Sequence, residues 1–221
     1  MTKLAAVTGL AAEARIARRA GLAAAAAGGD SGRTESAIAE LIADGASALV
    51  SFGICGGLDP ALAPGALLLP HWVRDESGAR FAVDAAWRGR VAAALAAHGQ
   101  VAAAGDLLGA DAVVATPAQK AVLFAASGAV GADLESHVVA RAALRAGLPF
   151  LALRAVADPA ARGLPPAALI ELDSQGRPAL GAVLGSLLRR PGQLPALLRV
   201  AGDARRALAA LRRAAPMLAN P

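Results

Sequence analysis

Tyrosine is absent from this chain of 221 residues, and two Trp with four Phe bring the aromatic content to only 3%. A surface that stacks successive bases needs more rings than that, so single-stranded nucleic acid is not an expected partner. The lone Cys55 excludes an intrachain disulfide and fits a reducing compartment. His71, His98 and His137 stand at no metal-ligand spacing and no CxxC occurs, so no metal site is expected. Long apolar runs are missing too. Residues 22–27 and 61–69 fall well short of the roughly 18–20 that span a bilayer, and Pro64-Gly65 interrupts the second run. Glu13, Arg15, Arg18 and Arg19 break any secretory apolar core, which leaves the cytoplasm as the expected location.

Lysine is also scarce: Lys3 and Lys120 stand against 20 arginines. The net charge of +5 is unevenly placed. Residues 1–188 carry 15 basic and 16 acidic side chains, whereas residues 189–221 carry seven arginines against Asp203 alone. A neutral body with a basic tail lacks the basic face of a nucleic-acid binder. Much of the 56% hydrophobic content is alanine, which favours helices without burying much area.

Apolar strand-like runs alternate with helical patterns, which predicts an α/β fold. Strands are expected at 4–8, 22–27, 48–52, 66–69, 129–132 and 150–156. Helices are expected at 11–20, 34–44, 87–98 and 134–146, with another opened by Thr116-Pro-Ala-Gln119. No repeat or linker divides the chain, so the prediction is one domain over 1–188 followed by a Pro-containing amphipathic helical tail over 189–221.

Two carboxylates give the chain its chemical character. Asp158 ends the apolar run that starts at Pro149, and the carboxyl end of a buried strand is where α/β sheets place ligands. A carboxyl in apolar surroundings keeps its proton longer, which suits a general acid. A turn-forming Asp before Pro159 explains the same residue without chemistry. Glu135 lies in Gly131-Ala-Asp-Leu-Glu135 at a helix start, where it would also offset the macrodipole, and Asp133 there reads as a cap. Gly53-Ile-Cys-Gly56-Gly57 follows a strand and could bring backbone N–H groups close to a phosphate or ribose, or form a plain tight turn.

Taken in order, Gly53-Ile-Cys-Gly-Gly-Leu-Asp-Pro, Pro64-Gly-Ala-Leu-Leu-Leu-Pro, Ala132-Asp-Leu-Glu135 and Pro149-Phe-Leu-Ala-Leu-Arg-Ala-Val-Ala-Asp158 resemble the purine nucleoside phosphorylase and methylthioadenosine nucleosidase superfamily. The resemblance covers about residues 4–188. The Arg190-Pro-Gly-Gln-Leu-Pro195 stretch and the short N-terminal half are similar to the hopanoid-associated phosphorylase branch. The resemblance implies a single-domain, three-layer α/β/α fold with a mixed, largely parallel sheet. It further implies cleavage of the N-glycosidic bond of an adenosine-type substrate, adenosylhopane in that branch, with release of adenine. A nucleosidase for methylthioadenosine or other small nucleosides, or a non-catalytic nucleoside-binding protein, are the alternatives.

In this resemblance Asp158 protonates the purine at N7, and Glu135 holds the ribose hydroxyls. Leu134, Val113, Val114, Phe52, Gly53, Gly56 and Gly57 would contact the substrate. Val113 stands where nucleosidases place an aromatic ring, and Ala157 stands where relatives carry Ser, so the bond that orients Asp158 must come from elsewhere. Glu13 replaces a phosphorylase arginine, which favours activation of water, while Gly29, Gly32 and Arg33 could still form an anion nest. Water and phosphate both remain open as the nucleophile, and no other cofactor is implied. The resemblance also implies a homo-oligomer. In the tail, Leu197, Ala201, Ala204, Leu208 and Leu211 form an apolar stripe beside Arg199, Arg206 and Arg213. That stripe suits either packing on the domain or contact with the inner membrane surface.

Overall fold

The computed structural model describes residues 3–170, 172, 173, 176, 177 and 179–219. Its ten strands form one sheet built around two of them, β3 (Ala48–Gly57) and β10 (Phe150–Asp158), which run parallel with Leu49–Gly56 beside Phe150–Asp158. Strand β1 (Leu4–Thr8) pairs in parallel with the first half of β3 and with β2 (Ala23–Ala26). The end of β3 turns to β9 (Ala129–Asp133), which continues through β8 (Asp106–Gly109) to the hairpin of β5 (Trp72–Asp75) and β6 (Arg80–Ala82). On the far side β10 pairs with β4 (Leu67–Leu68), and β4 with β7 (Ala102–Ala103). Most pairings are parallel and three are antiparallel, as a mixed, largely parallel sheet requires.

The core lies where the sequence is most apolar. All nine residues of β10 are buried, so this central strand reads as a continuous run and not as an alternation. Helices α1 (Ala11–Arg19) and α7 (Leu194–Ala214) pack together, as do α2 (Ser31–Ala43) and α5 (Ser136–Ala146), and these groups flank the sheet. Helix α3 (Ala85–Ala97) buries Trp87, whose indole Nε1 donates to the Leu218 carbonyl at 3.2 Å. Helix α4 (Pro117–Ser127) starts as expected, with Thr116 and Gln119 forming a capping box.

Three features depart from the expectations. Strand β3 runs on through Gly53–Gly57, so the glycine segment is paired strand and not a loop. None of these glycines has positive φ; their value is the space they leave. Helix α5 starts at Ser136 and not Leu134, because Asp133 Oδ1 accepts from the N–H groups of Glu135 and Ser136 and caps the helix there. The short strands β5 to β8 were unforeseen; β5 and β6 carry arginines and an aspartate, a poor apolar signal.

The tail is part of the body. Helix α7 packs on β10, β3 and α1, and buries Asp203, Ala207, Ala210, Leu211 and Ala214. Of the expected stripe only Leu211 is fully buried, and Ala201 faces solvent. Alanine lets the helix approach the sheet closely, so the inward face is set by Ala207, Ala210 and Ala214 with Leu211 beside them. Among the described residues no helix is long and apolar enough to cross a membrane.

Candidate active site

Asp158 owes its aim to a β-bulge. Val156 pairs with Cys55 and Asp158 with Gly56, so Ala157 is an extra residue on β10 that re-aims the strand end. A Cβ at Gly56 would lie 3.3 Å from Asp158 Oδ2, so glycine there gives the carboxyl room. The orienting bond comes from Lys120 of α4, which is fully buried with its Nζ 2.5 Å from Asp158 Oδ2. The same ammonium donates to the carbonyls of Asp158, Pro159 and Arg162 at 3.0–3.2 Å, which satisfies a charge that could not otherwise be buried. Burial pushes the Asp158 pKa above the usual carboxylate range, and Lys120 opposes the shift without cancelling it. Lys120 was missed in the sequence. As one of only two lysines, on a helix otherwise read for its cap, it carries no motif.

Arg154 was missed as well, although a lone cation inside an apolar strand is itself a signal. It is buried in the middle of β10, four residues before Asp158, and gathers three carboxylates. Its Nε lies 2.6 Å from Asp133 Oδ2 and its Nη2 lies 3.3 Å from Glu135 Oε2. Nη2 also donates to Ser51 Oγ at 2.5 Å and to Ser136 Oγ at 3.1 Å. Burial alone would weaken the guanidinium's hold on its proton; Asp133, Glu135 and Glu13 outweigh that and raise its pKa.

One cation cannot neutralise three acids. Asp133, with the shortest contact, takes the largest share of Arg154. Glu135 stands at the start of α5 with no capping bond of its own, so its side chain is free to face the cavity. Burial pushes its pKa up to about 7, Arg154 pulls against this, and the Asp133 and Glu13 charges add to the rise. Glu13, in the first turn of α1, accepts from Leu10 N–H at 2.7 Å and from Ile54 N–H at 2.8 Å. Burial raises its pKa too, against Arg154 and these bonds. Gly53 is what lets the group assemble. A Cβ there would sit 2.7 Å from Arg154 Nη1 and 2.8 Å from the Glu13 carboxyl.

Two adjoining cavities open on these residues. The smaller, about 160 Å³, holds Asp158 among Gly56, Ala110, Val114 and Leu164. The larger, about 410 Å³, holds Glu13, Gly29 and Arg33 and is walled by Leu169, Ile170 and Leu172. Ile54, Val113, Leu134 and Glu135 line both, so Glu135 stands at the junction. The other expected contacts lie elsewhere. Phe52 is fully buried in the core, while Gly53 and Gly57 lie behind the cavity wall, Gly57 against Val156. Gly32 lies within α2, and the N–H of Arg33 already donates to Asp30 Oδ1 at 2.7 Å, so the expected nest has lost a donor to the protein's own carboxylate. The Arg33 side chain donates to the Ala27 carbonyl. Cys55 borders the smaller cavity, but burial first, and then Asp133, Asp158 and Glu13, push its thiol pKa well up and keep it protonated. Among the described residues no group of His, Cys, Asp and Glu is arranged to hold a metal ion.

Solved structures share this architecture at low identity. The chain is similar to a Helicobacter pylori 5′-methylthioadenosine nucleosidase mutant holding 5′-methylthioadenosine, with 13% identity, a TM-score of 0.67 and coverage of 97% of this chain and 98% of that one. It is also similar to the futalosine hydrolase of the same organism, with 12% identity, a TM-score of 0.67 and coverage of 96% and 97%. The Campylobacter jejuni 5′-methylthioadenosine/S-adenosylhomocysteine nucleosidase gives 16% identity, a TM-score of 0.66 and coverage of 96% and 100%. By sequence, no curated protein matches. Residues 31–189, most of the chain and both strands that carry the buried charges, match the family model for the phosphorylase superfamily, and the chain belongs to that superfamily.

Proposed function

We propose that this nucleoside-cleaving enzyme hydrolyses the N-glycosidic bond of an adenosine-type substrate whose 5′ substituent is large and apolar, such as adenosylhopane. The observation that carries the reading is the line of three buried carboxyls, Asp158, Glu135 and Glu13, along two joined cavities. The purine would occupy the smaller cavity, where Asp158 with its raised pKa donates a proton to N7 as the C1′–N9 electrons pass to the base. Glu135 at the junction would accept bonds from the ribose hydroxyls and stabilise positive charge on the ring. Glu13 would take a proton from the water whose oxygen bonds C1′.

Support for water over phosphate comes from the cations: Arg154 is committed to Asp133 and Glu135, and Arg33 to the Ala27 carbonyl. Carboxylates on this side would repel a phosphate. Support for an apolar 5′ group comes from the wall of Leu169, Ile170 and Leu172. The same reading carries the expectation of a homo-oligomer working in the cytoplasm.

Adenine release from adenosylhopane and from methylthioadenosine, each with and without phosphate, tests it. Asp158→Asn should lower release by roughly 10²- to 10⁴-fold while substrate still binds. A sugar phosphate as product would overturn the water mechanism. Faster release from methylthioadenosine than from adenosylhopane would establish the small-nucleoside alternative.

A further inference from the structure

Eleven large apolar side chains are exposed among the described residues, and six of them, Leu169, Leu180, Leu184, Leu188, Leu194 and Leu198, fall between 169 and 198. Three belong to α6 (Leu180–Arg189), where spacing by four places Leu180, Leu184 and Leu188 on one face at 69%, 61% and 85% exposure. Only Ser186 of that helix is buried. Of the other three, Leu169 follows the turn at Pro166–Ala168, and Leu194 and Leu198 open α7 on the face opposite the inward Asp203, Ala207, Ala210 and Ala214. Further along that outer face come Arg205 and Arg212. Arg189, Arg190 and Arg199 are exposed as well.

No acid offsets these arginines locally. Asp203 is the one acidic residue between 179 and 219, and it is buried against Arg162 and Arg206. The exposed charges of residues 179–219 are therefore all guanidinium groups, set beside exposed leucines. Docking a second copy on the same patch by two-fold symmetry would bring the arginines face to face, which disfavours self-association here. A negatively charged bilayer surface matches both properties, taking the leucines among its acyl chains and the arginines at its headgroups. Helix α6 also packs on the 3₁₀ turn Pro166–Ala168, directly before the wall of Leu169, Ile170 and Leu172 in the larger cavity.

We propose that α6 and the outer face of α7 form a docking surface for an anionic lipid bilayer, which sets the mouth of the larger cavity at the membrane. Delivery of a lipid-linked substrate to that cavity rests on the proposed function; the docking itself does not. The test is co-sedimentation of the full-length protein with phosphatidylglycerol/phosphatidylcholine vesicles and with phosphatidylcholine alone, at low and high salt. Binding to the anionic vesicles should be at least about tenfold stronger than to neutral ones and should weaken with salt. Leu184→Glu/Leu188→Glu and Arg205→Glu/Arg212→Glu should each reduce it about tenfold or more, with turnover of soluble methylthioadenosine and sedimentation coefficient unchanged. Wild-type binding by either double variant, or equal binding to neutral vesicles, would overturn the proposal. A change of oligomeric state in the leucine variant would assign the surface to a subunit contact and overturn it as well. Loss of adenine release from every nucleoside would sink the proposed function but leave the vesicle result standing.

Discussion

Replacing Lys120 by methionine keeps the length of a buried side chain and removes its charge beneath Asp158. At 2.5 Å and an effective dielectric near 20, the pair attracts by about 7 kcal/mol before the cost of burying both charges is set against it. What a variant registers is the loss of one partner from a buried pair, about 3–5 kcal/mol. Asp158 can soften that by holding its proton, but the carbonyls of Pro159 and Arg162 lose their donor outright. About 3 kcal/mol is the expected loss, or roughly 6–12 °C in Tm for a chain of this size. The effect on catalysis is distinct. Without the opposing cation the Asp158 pKa rises further, so its proton persists to higher pH and the alkaline limb of the kcat profile moves up. Loss of the orienting bond should lower kcat about 10²-fold. Differential scanning fluorimetry and adenine release across pH read the two effects, and Lys120→Met should cost much less in an Asp158→Asn background. An unchanged profile with an unchanged Tm would refute the pairing. Equal losses in both backgrounds would assign Lys120 to the Pro159 and Arg162 carbonyls alone.

Two further outcomes follow from the Arg154 cluster. Glu135 has its folded pKa raised from 4.5 to about 7, so its contribution to stability is full below about pH 4.5 and is lost as pH rises through about 7. The loss between pH 5 and pH 8 is about 2–3 kcal/mol; Glu135→Gln, which cannot ionise, should therefore gain Tm relative to wild type at pH 8 and not at pH 5. A difference that is the same at both pH values would remove the argument. Gly53→Ala places a methyl group against Arg154 and Glu13 and should cost about 1–3 kcal/mol with a large fall in kcat; wild-type turnover would show that the glycine is not holding that space.

The resemblance to nucleoside-cleaving enzymes was legible from four short motifs in order, and the superfamily match now rests on residues 31–189. Asp158 and Glu135 were visible because one ends an apolar strand and the other opens a helix, and both signals are local. The apolar segment from Pro149 to Asp158 announced a central strand for the same reason. Phe52 was misplaced because a residue next to a glycine motif says nothing about which face of the sheet it takes; it lies in the core. Gly32 was misplaced because the α2 cap at Asp30 starts the helix before it.

Local order along the chain thus determined the alternation of strands and helices, the central strand and two of the acids. Tertiary structure decided which charges meet. Lys120 reaches Asp158 across 38 positions, and Arg154 reaches Ser51 across 103. Burial, not sequence spacing, is what then raises the pKa of Glu13, Glu135 and Asp158. A pKa depends on the water and charge around a carboxyl, and those are known only after the chain has closed around it.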